Sequence, residues 1–296
     1  MSDVGLWPKG FRLKTHIPAS ADGTTPVVVV VHGISRNSNE HLAVFADLAG
    51  DRCAVIAPHF PRQSFPNYQK LGIDGTQRRA DIVFDAALER LGHRTGTDIR
   101  RFHLFGFSGG AQFAHRYAML NPGRIQSLHI ASAGWYTFPE TTIRWPRGLC
   151  GNGVGGEMAM KLPRFLRLPI HVYVGENDIA RDGSLRTGSR IDTHQGSDRR
   201  SRAETWVRRV GELQGGIGPQ ITLDILPGVD HDFASACALD RGGLAAVVLD
   251  RIHRRAMSEQ VLRPSPARQL VHEVGAPSLP DSWKSHEFDG WRRLQG

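Results

Sequence analysis

Ser108 stands in Gly106-Phe107-Ser108-Gly109-Gly110, a G-x-S-x-G. A serine hydroxyl is a weak nucleophile until a neighbouring imidazole accepts its proton. The imidazole in turn needs a carboxylate that holds one tautomer and stabilises the imidazolium. Both partners follow later in the chain. Asp178 lies in Val174-Gly175-Glu176-Asn177-Asp178, and His231 in Pro227-Gly228-Val229-Asp230-His231-Asp232-Phe233. In that set Ser108 would attack a carbonyl, His231 would carry the proton, and Asp178 would orient His231. Glu176 and Asp182 are near enough in sequence to be the acid instead. His32, His59 and His129 are the other candidate histidines, and Asp230 and Asp232 flank His231.

Such a set works only if the surrounding elements bring it together. Phe102, Leu104, Phe105 and Phe107 form a short apolar run, a buried strand; Phe113, Ala114, Tyr117 and Ala118 fall at helical spacing. A serine on the turn between them sits in a strained conformation with its hydroxyl above the sheet edge. The glycines around it are required where a Cβ would collide with the approaching strand and helix. Residues 26–31, Pro-Val-Val-Val-Val-Val, are too short and too branched for a helix and read as a strand buried on both faces. That strand runs into His32-Gly33-Ile34-Ser35. A backbone N–H just past it, of Ile34 or Ser35, together with the N–H of Gly109, would form an oxyanion hole.

The rest of the chain repeats this alternation. Residues 11–18 read as an antiparallel edge strand, 41–49 as a helix, 53–58 as a strand and 76–92 as an amphipathic helix. Strands follow at 125–133, 169–175 and 221–226, with helices at 202–213 and 242–255. Alternating strands and helices imply an α/β fold: a mostly parallel sheet with helices on both faces and ligands at the C-terminal strand ends. Ser108, Asp178 and His231 would then share one edge. The stretch 134–168 breaks the pattern. It is rich in glycine and carries Trp135, Tyr136 and Phe138, so it is expected as an irregular lid or pocket wall, with Phe107 contributing. Residues 59–75 are expected to build the remainder of the pocket. Residues 180–200 read as a mobile surface loop. The domain spans 1–256, and 257–296 is an appendage with Trp283 and Trp291 as docking anchors.

Composition narrows the function classes. The 296 residues are 40% hydrophobic and 22% charged, with a net charge of +8. The arginines are scattered apart from short clusters such as Arg199-Arg200-Ser201-Arg202, and no nucleic-acid module accompanies them, so they read as a solvated basic surface. Three distant cysteines, Cys53, Cys150 and Cys237, suggest neither disulfides nor a metal site and suit a reducing cytoplasm. The opening residues show no secretory leader, and no apolar run is long enough to span a membrane. No cofactor, metal, nucleic-acid partner or membrane span is expected, and the oligomeric state is not readable.

On the motifs VVVVVHG, GFSGG, VGEND and LPGVDHDF, the chain resembles the α/β-hydrolase superfamily over residues 11 to about 255. The resemblance places the acid at Asp178, three residues past Gly175. It is similar within that superfamily to small bacterial serine esterases of the polyhydroxybutyrate-depolymerase-like and dienelactone-hydrolase-like groups. The chain departs from both: it shows no secretory leader, and Ser108 stands where dienelactone hydrolases use Cys. Ser108 also argues against the dehalogenase and epoxide-hydrolase branches, whose nucleophile is Asp. The implied activity is cleavage of a small-molecule carboxylic ester through an acyl-enzyme. The alternatives are an amidase or peptidase with the same triad, and a non-catalytic binding protein on the same fold.

Overall fold

The computed structural model describes residues 8–72, 79–238, 240 and 243–262. In chain order the elements are β1 (Arg12–His16), β2 (Val27–Val31), α1 (Ser38–Ala49), β3 (Ala54–His59), α2 (Ala80–Thr95), β4 (Phe102–Phe107), α3 (Gly109–Leu120), β5 (Ile125–Ala131), α4 (Val154–Phe165), β6 (Ile170–Gly175), α5 (Ser189–Gln195), α6 (Arg199–Gln214), β7 (Thr222–Leu226), α7 (Phe233–Cys237) and α8 (Leu244–Leu262). The strands form one sheet in the order β1-β3-β2-β4-β5-β6-β7. Only β1 is antiparallel to its neighbour.

Side chains alternate across the sheet and build a core on each face. Val27, Val29, Val31, Phe102 and Leu104 pack on one side with Phe84, Phe113 and Trp206. Val28, Val30, Phe105 and Phe107 pack on the other with Phe45, Val248 and Ile252. The five valines of β2 are all buried, as a central strand covered on both faces requires.

Four expectations need correction. The helix expected to stop at Gly92 runs to Thr95 and is closed by Gly96 at φ 70°, the left-handed cap only glycine adopts readily. Gly92 is instead a close-approach site: a Cβ there would lie 3.1 Å from the Thr97 carbonyl oxygen. The 134–168 insertion is more ordered than expected, because α4 occupies its second half despite Pro163. Gly148 is needed for close packing: a Cβ there would lie 2.4 Å from the Ile143 carbonyl oxygen. Residues 180–200 hold α5 and the start of α6, with Leu185, Ile191 and Gln195 buried. A capping box between Asp198 and Ser201 starts α6 three residues earlier than its apolar spacing suggests. Finally, Phe60, Phe65 and Tyr68 of the 59–75 stretch are buried core residues, with the Tyr68 hydroxyl close to Gly109.

The chain divides into a unit from Met1 to Ser258 and a remainder from Glu259. Trp283, Trp291 and most of the expected appendage lie outside the described residues. Among the described residues, no helix is long and apolar enough to cross a membrane.

Candidate active site

The geometry starts at the turn between β4 and α3. Ser108 has φ 53° and ψ −112°, a conformation unfavourable for any residue with a Cβ. The strain is held by two contacts that tolerate only glycine. A Cβ on Gly106 would lie 2.3 Å from the Gly110 carbonyl oxygen, and one on Gly110 would lie 2.0 Å from that of Val31. The Ser108 N–H donates to the Ala131 carbonyl at 2.8 Å, which extends the β4–β5 pairing into the turn.

Ser108 Oγ lies 3.0 Å from His231 Nε2, and His231 Nδ1 lies 2.9 Å from Asp178 Oδ2. The three residues come from the loops after β4, β6 and β7, at one sheet edge. The loop after β7 is tied to that after β6: Asn177 N–H donates to the Val229 carbonyl at 2.8 Å and Gly228 N–H to Glu176 Oε2 at 2.9 Å. Glu176 therefore staples the loops and does not face His231. Phe107 stacks on the His231 ring with centroids 5.4 Å apart, so it backs the imidazole.

Asp178 is 0% exposed, and a buried carboxylate needs a partner. Arg199, itself 1% exposed, supplies it: its Nη1 lies 3.4 Å from Asp178 Oδ1. The same guanidinium reaches Asp182 at 3.2 Å and the Ser184 hydroxyl. Asp182 thus holds the arginine behind the acid and is not the acid itself. Its hydrogen bonds from Ser184 and Arg199 hold its carboxyl well below the usual range. Nearby Arg202 is also buried; it pairs with Asp192 at 2.8 Å and donates to the Gly134 carbonyl. The cluster read as a solvated basic surface is therefore half internal. No spacing rule finds Arg199, since its partners lie 17 and 21 residues away across a loop.

The segment after β2 lies against the elbow. A Cβ on Gly109 would lie 2.7 Å from Ile34 Cγ2 and 3.2 Å from Ile34 N, so Ile34 packs against the residue that follows Ser108. Gly109 opens α3, where the first amides have no acceptor within the helix. Ser35 follows directly, and Arg36 pins the segment: its guanidinium donates to the Phe60, Phe65 and Pro66 carbonyls and lies over the Tyr68 ring. The Tyr68 hydroxyl donates to the His32 carbonyl at 2.7 Å. His32 Nε2 accepts the Phe60 N–H at 3.1 Å, so its proton sits on Nδ1, donated to the Gly33 carbonyl at 2.8 Å. Burial pushes the His32 pKa down to about 3. His32 is a neutral strut under this segment. His129 is internal too, bonded to Ser127 and Tyr173, and His59 contacts Ser38.

The aromatic residues expected on a pocket wall are placed differently. Tyr136 is fully buried and stacks on Trp206, and Phe138 belongs to the same core. Trp135 is 4% exposed, with the Arg116 guanidinium 4.1 Å and the Arg186 guanidinium 5.4 Å from its ring centre. Among the described residues no group of three or more His, Cys, Asp or Glu is arranged to hold a metal ion.

A family model for the alpha/beta hydrolase fold matches residues 26–149. A poly(aspartic acid) hydrolase from Sphingomonas sp. KT-1 is 21% identical, with a TM-score of 0.67 over 82% of this chain and 92% of that one. A poly(3-hydroxybutyrate) depolymerase from Bordetella parapertussis is 25% identical, with a TM-score of 0.66 over 80% of this chain and 88% of that one. A solved esterase is 20% identical, with a TM-score of 0.51 over 82% of this chain and 99% of that one. No curated protein matches the sequence. The chain has the α/β-hydrolase fold.

Proposed function

We propose that this protein is a serine hydrolase that cleaves carboxylic esters through a covalent acyl-enzyme. The observation that carries the reading is the hydrogen-bonded line from Ser108 through His231 to a fully buried Asp178, with Ser108 at a strained positive φ. Ser108 Oγ attacks the ester carbonyl while His231 Nε2 takes its proton. The tetrahedral oxyanion rests on the N–H of Gly109 and that of Ile34, with Ser35 next in line; one such donor contributes about 3 kcal/mol in comparable sites. The imidazolium, held by Asp178, returns the proton to the departing alcohol. Water then enters by the same route in reverse and frees Ser108.

The activities of the fold neighbours support a hydrolase, and that of the depolymerase, named for a polyester, supports an ester substrate. Burial pushes the Cys53 and Cys237 thiols up to about 12.

The test is fluorophosphonate labelling of wild type and Ser108→Ala, read by intact mass, alongside p-nitrophenyl ester turnover. One adduct on wild type that is lost in the variant is expected, with turnover reduced on the order of a million-fold. A folded wild type that takes no adduct, or a variant that keeps a few per cent of the activity, refutes the assignment.

A further inference from the structure

The flank that carries Trp135 holds an open cavity of about 370 Å³ between the 144–148 turn and residues 186–191. Its wall brings together Arg147, Arg186 and Arg190 with the hydroxyl-bearing Thr187 and Ser189. These guanidiniums differ from the others nearby. Arg181, Arg199, Arg202 and Arg209 each face a carboxylate within 4 Å. Among the described residues, Arg147, Arg186 and Arg190 pair with none. The acids nearest them in sequence are already engaged: Asp192 by Arg181 and Arg202, Asp182 by Arg199, and Glu140 by Arg209. Three like charges around one concavity repel one another, and an anion that enters relieves the repulsion.

The cavity's arginines lie near the helix that Ser108 opens, α3. Gln112 N–H donates to the Ser108 carbonyl at 3.1 Å, and Arg116 Nη1 to the Gln112 carbonyl at 3.2 Å. Arg116 is fully buried and lies against Trp135, whose ring also carries Arg186. Arg186 therefore rests on a platform anchored at Arg116, just over two turns of α3 from Ser108, roughly 12 Å along the helix. A flat guanidinium on an aromatic ring loses less freedom when it binds a carboxylate.

We infer that this cavity is a subsite for a carboxylate carried several bonds away from the scissile carbonyl, so that the preferred substrate is an anionic ester. The inference rests on the esterase reading for its substrate, but the cavity can be tested without turnover. One arm compares kcat/KM for mono-p-nitrophenyl suberate with that for p-nitrophenyl octanoate, the neutral ester of equal length. Wild type should favour the suberate, the preference should shrink as NaCl screens the arginines, and it should fall about tenfold in Arg147→Gln/Arg186→Gln/Arg190→Gln, a loss of about 1.4 kcal/mol. A ratio that the triple variant does not change overturns the subsite. The second arm titrates citrate calorimetrically into both proteins. Binding by wild type that weakens about tenfold in the variant supports the cavity; equal binding, or none by wild type, overturns it. If neither ester is turned over, the esterase reading fails, and the citrate titration alone decides the cavity.

Discussion

Lowering the pH from about 7.5 to about 5.5 probes six histidines that this fold holds neutral. Burial, aided by neighbouring positive groups, pushes His32, His41 and His103 down to about 3 and His171 to about 4, and it holds His115 and His129 well below their ordinary range. Their bonds show why protonation is unwelcome. His115 Nε2 accepts the Thr137 N–H at 2.9 Å while Nδ1 donates to the Ala111 carbonyl at 2.8 Å, so a second ring proton would displace a backbone donor. In the unfolded chain each imidazole returns to a pKa near 6.5. The folded pKa is the lower one, so the unfolded chain binds the extra protons. The stability from neutral burial is therefore full above about pH 6.5 and drains away as pH falls towards the folded values. Each histidine costs on the order of 1 kcal/mol across that interval, and six together cost several kcal/mol. A domain has about 5–15 kcal/mol in total. Urea midpoints should fall steeply between those two pH values, with about five protons taken up per unfolding event at the acid end. Midpoints that stay flat, or an uptake of one proton or fewer, would refute the picture of histidines buried in the neutral state.

Two further outcomes follow from single contacts. Gly109→Ala puts a methyl 3.2 Å from the Ile34 amide nitrogen; kcat on a p-nitrophenyl ester should fall about 100- to 1,000-fold while the circular dichroism is unchanged, and a loss under tenfold would show that the Gly109 and Ile34 amides do not hold the oxyanion. Arg199→Ala leaves Asp178 buried without its cation and should cost about 3–5 kcal/mol of stability and lower kcat more than it raises KM, with partial rescue by Arg199→Lys; an unchanged thermal midpoint and kcat would remove Arg199 from the support of the triad.

The elements around Ser108 are readable because their signals are local. The valines of β2, the apolar run of β4 and the glycines of the elbow each state their environment within a few residues. The same holds for the loop ends that carry Asp178 and His231, since each follows directly on an apolar strand. Where expectation and structure part, the signal is long-range. The glycine-rich 134–168 stretch reads as an irregular lid in a linear scan, yet Gly148 fits against Ile143 and Glu140, a contact visible only once the loop is closed. Tyr136 and Phe138 look like pocket aromatics by position, but Trp206 on α6, far along the chain, covers Tyr136 and draws it into the core.

Arginine shows the same limit most sharply, because its type says nothing of its burial. Arg199, Arg202 and Arg116 are internal braces, while Arg147, Arg186 and Arg190 face an open cavity. In the sequence all six add equally to the net charge. What separates them is the carbonyl or carboxylate each one meets after folding: Arg199 meets Asp178, Arg202 meets Asp192, and Arg116 meets the Gln69 and Gln112 carbonyls. A buried guanidinium without such acceptors would carry a penalty of several kcal/mol, so the fold places acceptors around those three. The exposed three carry no such requirement, because water solvates them. That freedom leaves their charge available to a substrate, and it explains why the triad's machinery and its selectivity are encoded so differently. The machinery is written in short motifs, and the selectivity in which arginines the folded chain leaves unpaired.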